Sequence, residues 1–216
     1  PGRNAVTETR TDPDANGVAL FYLCRQAGAE AVNGGIIPDQ YDAFAQRIKS
    51  LLAQVDMVVL SGGSSVGTRD YTPAVLQELS GGELLLEGLA VKPGKPTILA
   101  RCDNKPVLGL PGHPVSALNI FSLLGQALIN RLSGAAEEEW RPSIRAVLTK
   151  NVPSRPGRID LVRVSLQKTG NRITATPIFG RSGLLNTLAL ADGVIQVGAE
   201  LDGLAAGAEV EVFIWE

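Results

Sequence analysis

The stretch that most limits what this chain can become runs from Val55 to Leu79. Val55-Asp56-Met57-Val58-Val59-Leu60 is short, apolar and β-branched, as in a strand buried on both faces. Thr72-Pro73-Ala74-Val75-Leu76-Gln77-Glu78-Leu79 predicts a helix, with Thr72 as N-cap and Pro73 at its first position. Between them lie Ser61-Gly62-Gly63-Ser64-Ser65-Val66-Gly67 and Thr68-Arg69-Asp70-Tyr71. A glycine-rich turn from a strand into a helix lets backbone N–H groups approach a phosphate or another oxyanion unobstructed. The same glycines also suit a plain structural turn at a strand end, and a glycine loop alone does not choose between the two.

The flanking segments set this unit in an alternating pattern. Asp12-Pro13-Asp14 has the chemistry of a helix start, and apolar residues recur at helical spacing from Asn16 to Ala27, where Gly28 caps the end. Ala31-Val32 to Ile36-Ile37 predicts a strand, closed by Pro38-Asp39, and a helix follows at about 41–54 with Phe44, Ile48, Leu51 and Leu52 as its stripe. Such alternation implies a mostly parallel sheet with helices on both faces. Leu84-Leu85-Leu86, Thr97-Ile98-Leu99 and Pro106-Val107-Leu108 are short strands between proline and glycine turns. The last of them runs through Gly109-Leu110-Pro111-Gly112-His113-Pro114 into a helix at 115–132. Ligands of doubly wound sheets sit outside the carboxyl ends of the strands, so the loops at 61–71 and 109–116 are expected as opposite walls of one pocket.

After Ser133-Gly134 the pattern changes. Glu137-Glu138-Glu139 with Trp140-Arg141-Pro142 reads as an exposed linker. Beyond it, segments such as Leu161-Val162-Arg163-Val164 alternate, and Thr169-Gly170-Asn171 suits a hairpin turn. The expectation is an α/β domain over residues 1–139 and a small all-β domain over 140–216, with a helical turn near 183–190.

Composition removes several classes. The chain has 216 residues with 20 basic and 22 acidic side chains, a balance that argues against a surface for nucleic acid. No apolar run approaches the roughly 20 residues that span a bilayer, so no membrane partner and a soluble, cytoplasmic protein are expected. Cys24 and Cys102 have no metal-ligand spacing and read as reduced thiols, and a single histidine, His113, cannot build a histidine zinc site. The chain starts at Pro1 without a methionine, and is expected to be a piece of something longer.

The chemistry concentrates in a few places. Lys92-Pro93-Gly94-Lys95-Pro96 sets two ammonium groups beside a tight turn, as binding of an anionic group requires, though a solvent-facing basic turn looks the same. Asp39 and Asp70 each follow a strand end and together suit Mg²⁺; the plainer alternative makes Asp39 a helix cap and Asp70 a turn residue. No base and orienting acid are present for a serine nucleophile.

These motifs, in this order, resemble one family. The glycine loop with Asp70-Tyr71, the Lys92–Pro96 turn and Gly109-Leu110-Pro111-Gly112-His113-Pro114-Val115-Ser116 are similar to those of the molybdopterin molybdenumtransferases, the MoeA and gephyrin E-domain family. The resemblance extends to Asp14-Ala15-Asn16, to Gly35-Ile36-Ile37-Pro38-Asp39, and to Arg163 and Gly180-Arg181-Ser182-Gly183. It implies a three-layer α/β/α Mog-like domain followed by the small β domain IV of that family. It implies insertion of molybdate into adenylylated molybdopterin with release of AMP, in molybdenum cofactor biosynthesis. Asp39 and Asp70 would then handle Mg²⁺ and molybdate, and Lys92 and Lys95 the anionic groups of the substrate, these four being the catalytic set. Ser61, Gly62, Gly63, Ser64, Ser65 and Gly67 would bind substrate, together with Pro111, Gly112, His113, Pro114 and Ser116, and Arg163 and Ser182 from the β domain. A homodimer, with a molybdopterin adenylyltransferase as pathway partner, completes the implication. His113 stands where the family has asparagine, and the family's N-terminal half does not appear in the chain, so the fragment is expected to be incomplete for catalysis. Two other readings remain: a non-catalytic molybdopterin-binding or scaffold module, and a Mog-like molybdopterin adenylyltransferase.

Overall fold

Alternation along four strands decides which helices lie on which side of the first unit. The structure, a computed structural model, describes residues 14–62, 71–135, 142–170, 172–180 and 190–214. Among these, α1 (Ala15–Gln26), α2 (Tyr41–Leu52), β1 (Val58–Ser61), α3 (Thr72–Glu78), β2 (Glu83–Glu87), β3 (Val91–Lys92), β4 (Ile98–Cys102), β5 (Lys105–Leu110) and α4 (Pro114–Ile120) follow in order. The sheet order is β1-β5-β4-β2. Val58, Val107, Ile98, Ala100 and Cys102 point to one side, where Ile48, Leu52 and Leu76 of α2 and α3 close a core over them. Leu108 and Leu110 point to the other, against Leu20 of α1 and Ala117 and Ile120 of α4. Helices therefore cover both faces.

Two expectations need correction. The sheet is mixed: β1 and β5 run parallel, but β4 is antiparallel to β5 and to β2. The cause is the link Asp103-Asn104, two residues with φ of 49° and 61°. Two residues in that conformation make a tight hairpin, whereas a parallel crossover needs a dozen or more. Second, Ala31–Ile37 has no strand assignment, for it forms no ladder with any described strand, and Gly35 within it turns the chain at φ 76°. Val32 and Ile36 remain 65% and 80% exposed.

Helix ends follow local chemistry with small shifts. Asp14 caps α1, its carboxylate accepting from the Gly17 amide at 2.8 Å, and Gly28, at φ 88°, follows the helix end. The cap of α2 is Gln40 rather than Asp39, and α3 starts at Thr72 with Tyr71 in the cap position. The predicted helix at 115–132 spans Pro114–Leu132, but a π-helical turn at Phe121–Gly125 separates α4 from α5 (Gln126–Leu132). A Cβ on Gly125 would fall 2.5 Å from Cδ2 of Phe121, so only glycine leaves room for the ring. By length and composition alone this 19-residue stretch, with mean hydropathy 1.2, is long and apolar enough to cross a membrane. Here Val115, Ala117, Ile120 and Phe121 are fully buried within the protein.

The second unit closes on itself. β8 (Ile159–Thr169), β10 (Gly193–Val197), β12 (Glu209–Ile214), β6 (Ser143–Leu148) and β9 (Arg172–Pro177) pair in that cyclic order, so the ring leaves no free edge. β7 (Val152–Pro153) and β11 (Gly203–Leu204) form a separate short pair. Thr169 opposes Arg172 across the predicted hairpin, with Gly170 at φ 59°. Val164, Ile195, Val197 and Val212 fill the interior.

The two units also share a core. β3 pairs in parallel with β8, Val91 opposite Ile159 and Lys92 opposite Asp160. Side chains alternate along β8, so Val162 and Val164 enter the barrel while Leu161 turns toward the first unit. Leu161 and Val194 join Val91, Leu108, Ile120 and Phe121 in one cluster.

One buried side chain is at odds with this packing. Asn119 is 4% exposed, and neither end of its amide has a partner among the described residues. Unpaired buried polar groups cost about 1–3 kcal/mol each. Asn119→Leu is expected to raise Tm in thermal denaturation, whereas Phe121→Ala should lower stability by about 3–5 kcal/mol.

Candidate functional site

The parallel pairing of β1 with β5 brings their carboxyl ends, and the loops that leave them, side by side. Ser61 lies opposite Leu110 in the ladder, and the Gly62 amide donates to the Leu110 carbonyl at 3.2 Å. A Cβ on Gly112 would sit 3.6 Å from the Gly62 Cα, so the two glycine loops touch. At their described starts the two loops are neighbours, and residues 63–70 of the first lie outside the described residues. Asn16, in the first turn of α1, ties them together: its Nδ2 donates to Ser61 Oγ at 2.7 Å and to the Gly112 carbonyl at 2.8 Å.

On one side of this seam a cavity of about 1460 Å³ runs along β1, with Asp39, Ser61, Gly62, Tyr71 and Thr72 in its wall. The Tyr71 ring stands edge-on to Tyr41 at 5.7 Å, which orients the chain as it enters α3. Asp39 is exposed. Gly63, Ser64, Ser65, Gly67, Asp70 and Ser182 lie outside the described residues, as do the linker at 137–141 and most of the helical turn expected near 183–190.

The loop at 111–114 leads into α4, and the lysine turn packs against Ile120 at the far end of that helix. Pro111 is buried, while Gly112 and His113 are exposed; His113 holds the N-cap position of α4 with no side-chain cap bond. Ser116 is buried inside α4, 4% exposed. The Lys92–Pro96 turn is held from within and from below. The Thr97 hydroxyl donates to the Gly94 carbonyl at 2.6 Å, and the amides of Leu89 and Thr97 both donate to the Lys95 carbonyl at 2.9 Å. Gly94, at φ 133°, rests on Ile120: a Cβ there would be 2.3 Å from the Ile120 Cδ1. Lys92 and Lys95 are exposed, and neither ammonium has an ion pair among the described residues.

Arg163 comes from β8. It sits three residues beyond the partner of Lys92, about 10 Å along the strand, in the direction in which the lysine turn leaves β3. It is 6% exposed, and burial pushes its guanidinium below the usual range. One of its nitrogens donates to the Gly180 carbonyl at 3.5 Å.

The structure therefore brings Ser61 and Gly62, in the cavity wall with Asp39, against Gly112 through Asn16, and sets Lys92 and Lys95 in a turn off β3 and Arg163 on the paired β8. Sequence reasoning noticed Asp14-Ala15-Asn16 without a role for the asparagine. The available signal was its place just after Asp12-Pro13-Asp14, read as a helix start. Of the two thiols, Cys24 lines the same cavity. Burial raises the Cys24 thiol to about 11 and raises Cys102 as well, whose Sγ lies 3.4 Å from the Leu76 carbonyl.

Comparison with known proteins places the chain in a family. Residues 3–131 match the family model described as "Probable molybdopterin binding domain", and residues 145–215 match "MoeA C-terminal region (domain IV)". The chain belongs to the MoeA family. It is 31% identical over 201 residues to the molybdopterin molybdenumtransferase of Haemophilus influenzae, covering 92% of this chain and 49% of that protein. Over 132 residues it is 37% identical to the Nostoc enzyme of the same name, covering 60% of this chain and 30% of the relative. A molybdopterin biosynthesis MoeA structure from Pyrococcus horikosii superposes with a TM-score of 0.79 at 34% identity, covering 93% of this chain and 48% of that one. The chain thus spans about half the length of the MoeA relatives it matches.

Two outcomes test the site's construction. Gly94→Ala should displace the lysine turn from α4 and lower stability by about 1–3 kcal/mol, measured by chemical denaturation; Ile120→Ala in the same chain should relieve part of the clash. For Cys24, the folded thiol keeps its proton up to about 11 against an ordinary 9.0. Its stabilising contribution is complete below pH 9 and declines as pH rises from about 9 to 11. Titration with a thiol reagent at pH 8 should accordingly be slow for the native protein and fast once it is unfolded.

Proposed function

We propose that this MoeA-family chain works in molybdenum cofactor biosynthesis as a molybdopterin molybdenumtransferase, placing molybdate into adenylylated molybdopterin with release of AMP. One observation carries the reading: two glycine loops in contact, with a turn packed on the helix that leaves the second of them presenting the ammonium groups of Lys92 and Lys95, neither of which has an ion pair among the described residues. A nucleotide-linked pterin phosphate and an oxyanion both call for cationic side chains and backbone donors in one place. Lysine serves this as a compact point charge, and Arg163 adds a buried guanidinium from the second unit.

Mg²⁺ belongs to the same proposal. Mg²⁺ keeps several waters and is bound through one or two carboxylates and substrate oxygens. The exposed Asp39, in the cavity wall with Ser61, fits one such ligand, and Asp70 is the second expected from the sequence. When bound, the ion would offset repulsion between the substrate phosphate and molybdate. A second copy of the chain as dimer partner, and an adenylyltransferase as the source of substrate, remain part of this reading.

The reading is supported if calorimetry detects binding of AMP and of molybdopterin to the chain, and if Lys92→Ala with Lys95→Ala weakens both at least tenfold and flattens their salt dependence. Equal affinity in the double variant sinks it. Turnover of adenylylated molybdopterin with molybdate, lost in Asp39→Ala at unchanged Tm, separates an enzyme from a module that only binds.

A further inference from the structure

The two edges of the first sheet are built differently. β2 has the devices of a true edge: Glu83 and Glu87 stand exposed at its ends, and its register with β4 shifts between Leu84 and Leu86. β1 reads Val58-Val59-Leu60-Ser61, with no charge, proline or register shift, and among the described residues nothing pairs with its outer side. The Gly62 amide bonds toward β5, so by the alternation of a strand the backbone groups of Val58 and Leu60 face β5 as well. Those of Val59 and Ser61 face the cavity, whose wall includes both residues. An apolar strand with open N–H and C=O groups is a template for another strand.

The cavity has the walls that such a strand needs. Leu20 and Cys24 of α1 line it from one face of the sheet, Phe44 and Leu51 of α2 from the other, and residues 31–37 and β1 complete the lining. Val32 and Ile36 of that segment are left 65% and 80% exposed. Direction follows from α1. The helix begins beside the carboxyl end of β1, where Asn16 bonds to Ser61, and beyond it the chain returns to Tyr41, which stands against Tyr71 at the start of α3. A strand parallel to β1 would end where α1 begins, which makes α1 its crossover helix. We propose that this cleft is a docking slot for one β-strand, supplied by the part of a MoeA-length polypeptide that this chain does not span. The strand runs parallel to β1 and is about six residues long, the common strand length. Helices over both faces make it an uncharged, continuously apolar segment rather than an alternating one. The slot is independent of the reaction proposed above: Asp39, Ser61 and Gly62 stand toward its carboxyl end, where ligands of such sheets bind.

The test titrates this chain with overlapping synthetic peptides that cover the part of the Haemophilus influenzae relative it does not match, read by residue-resolved amide hydrogen exchange. Val59 and Ser61 should exchange fast in the chain alone, and one uncharged, apolar peptide should slow both at least tenfold. Leu85 on β2, 53% exposed at the other edge, should be unchanged and so reports on unspecific pairing. Joined ahead of Pro1, the same segment should raise Tm, and its scrambled version should not; the fusion also serves for segments too insoluble to titrate. The proposal is overturned if Val59 and Ser61 are already slow in the chain alone, if no peptide or fusion protects them, or if Leu85 is protected equally. Protection by AMP or molybdopterin but by no peptide makes the cleft a ligand pocket, which overturns the slot and leaves the proposed function standing.

Discussion

A two-residue strand, Val91–Lys92, holds the geometry of the whole site. By pairing with β8 it makes the first unit's lysine turn continuous with the second unit's barrel. Leu161 and Val194 of the barrel then pack with Val91, Ile120 and Phe121 of the first unit, so apolar burial rather than the short ladder supplies most of the adhesion. The cationic groups follow. Lys92 and Lys95 leave from the end of β3, Arg163 from the same stretch of β8, and Gly94 keeps the turn pressed on α4. Without the shared core, the lysines and the arginine would belong to separate bodies.

Much of the first unit was legible because its signals are local. The helix start at Asp12-Pro13-Asp14, Gly28 at the helix end, the stripe Phe44, Ile48, Leu51 and Leu52, and the turn at Gly170 all turn on residues within one helical turn or hairpin. Sheet direction was less legible, although the cue was present. Asp103-Asn104 adopts a left-handed pair that joins antiparallel strands, and a general expectation for alternating strands and helices outweighed it. Ala31–Ile37 shows the opposite limit. Its residues favour an extended chain, but a strand also requires a neighbour's backbone, which no propensity encodes.

The candidate site divides in the same way. The glycine loops, the lysine turn and Asp39 could be recognised one by one, since each is a short motif with its own chemistry. Their contacts could not. That Gly62 meets Gly112, that Gly94 meets Ile120, and that one asparagine spans 96 residues of sequence to reach the Gly112 carbonyl are products of tertiary packing. The π-helical turn at Phe121–Gly125 is also a packing outcome, for the Phe121 ring lies where a Cβ on Gly125 would be.

The ladder of β1 has a consequence for how the site behaves over time. Among the described residues it bonds to β5 on one edge alone, with the cavity along the other. Hydrogen exchange at Val58–Ser61 is then governed by a single row of bonds, and local opening there needs no disruption of a second strand. The end of β1 that presents Ser61 and Gly62 can thus adjust its spacing to a ligand, with Asn16 as a hinge pin between it and the better-held β5.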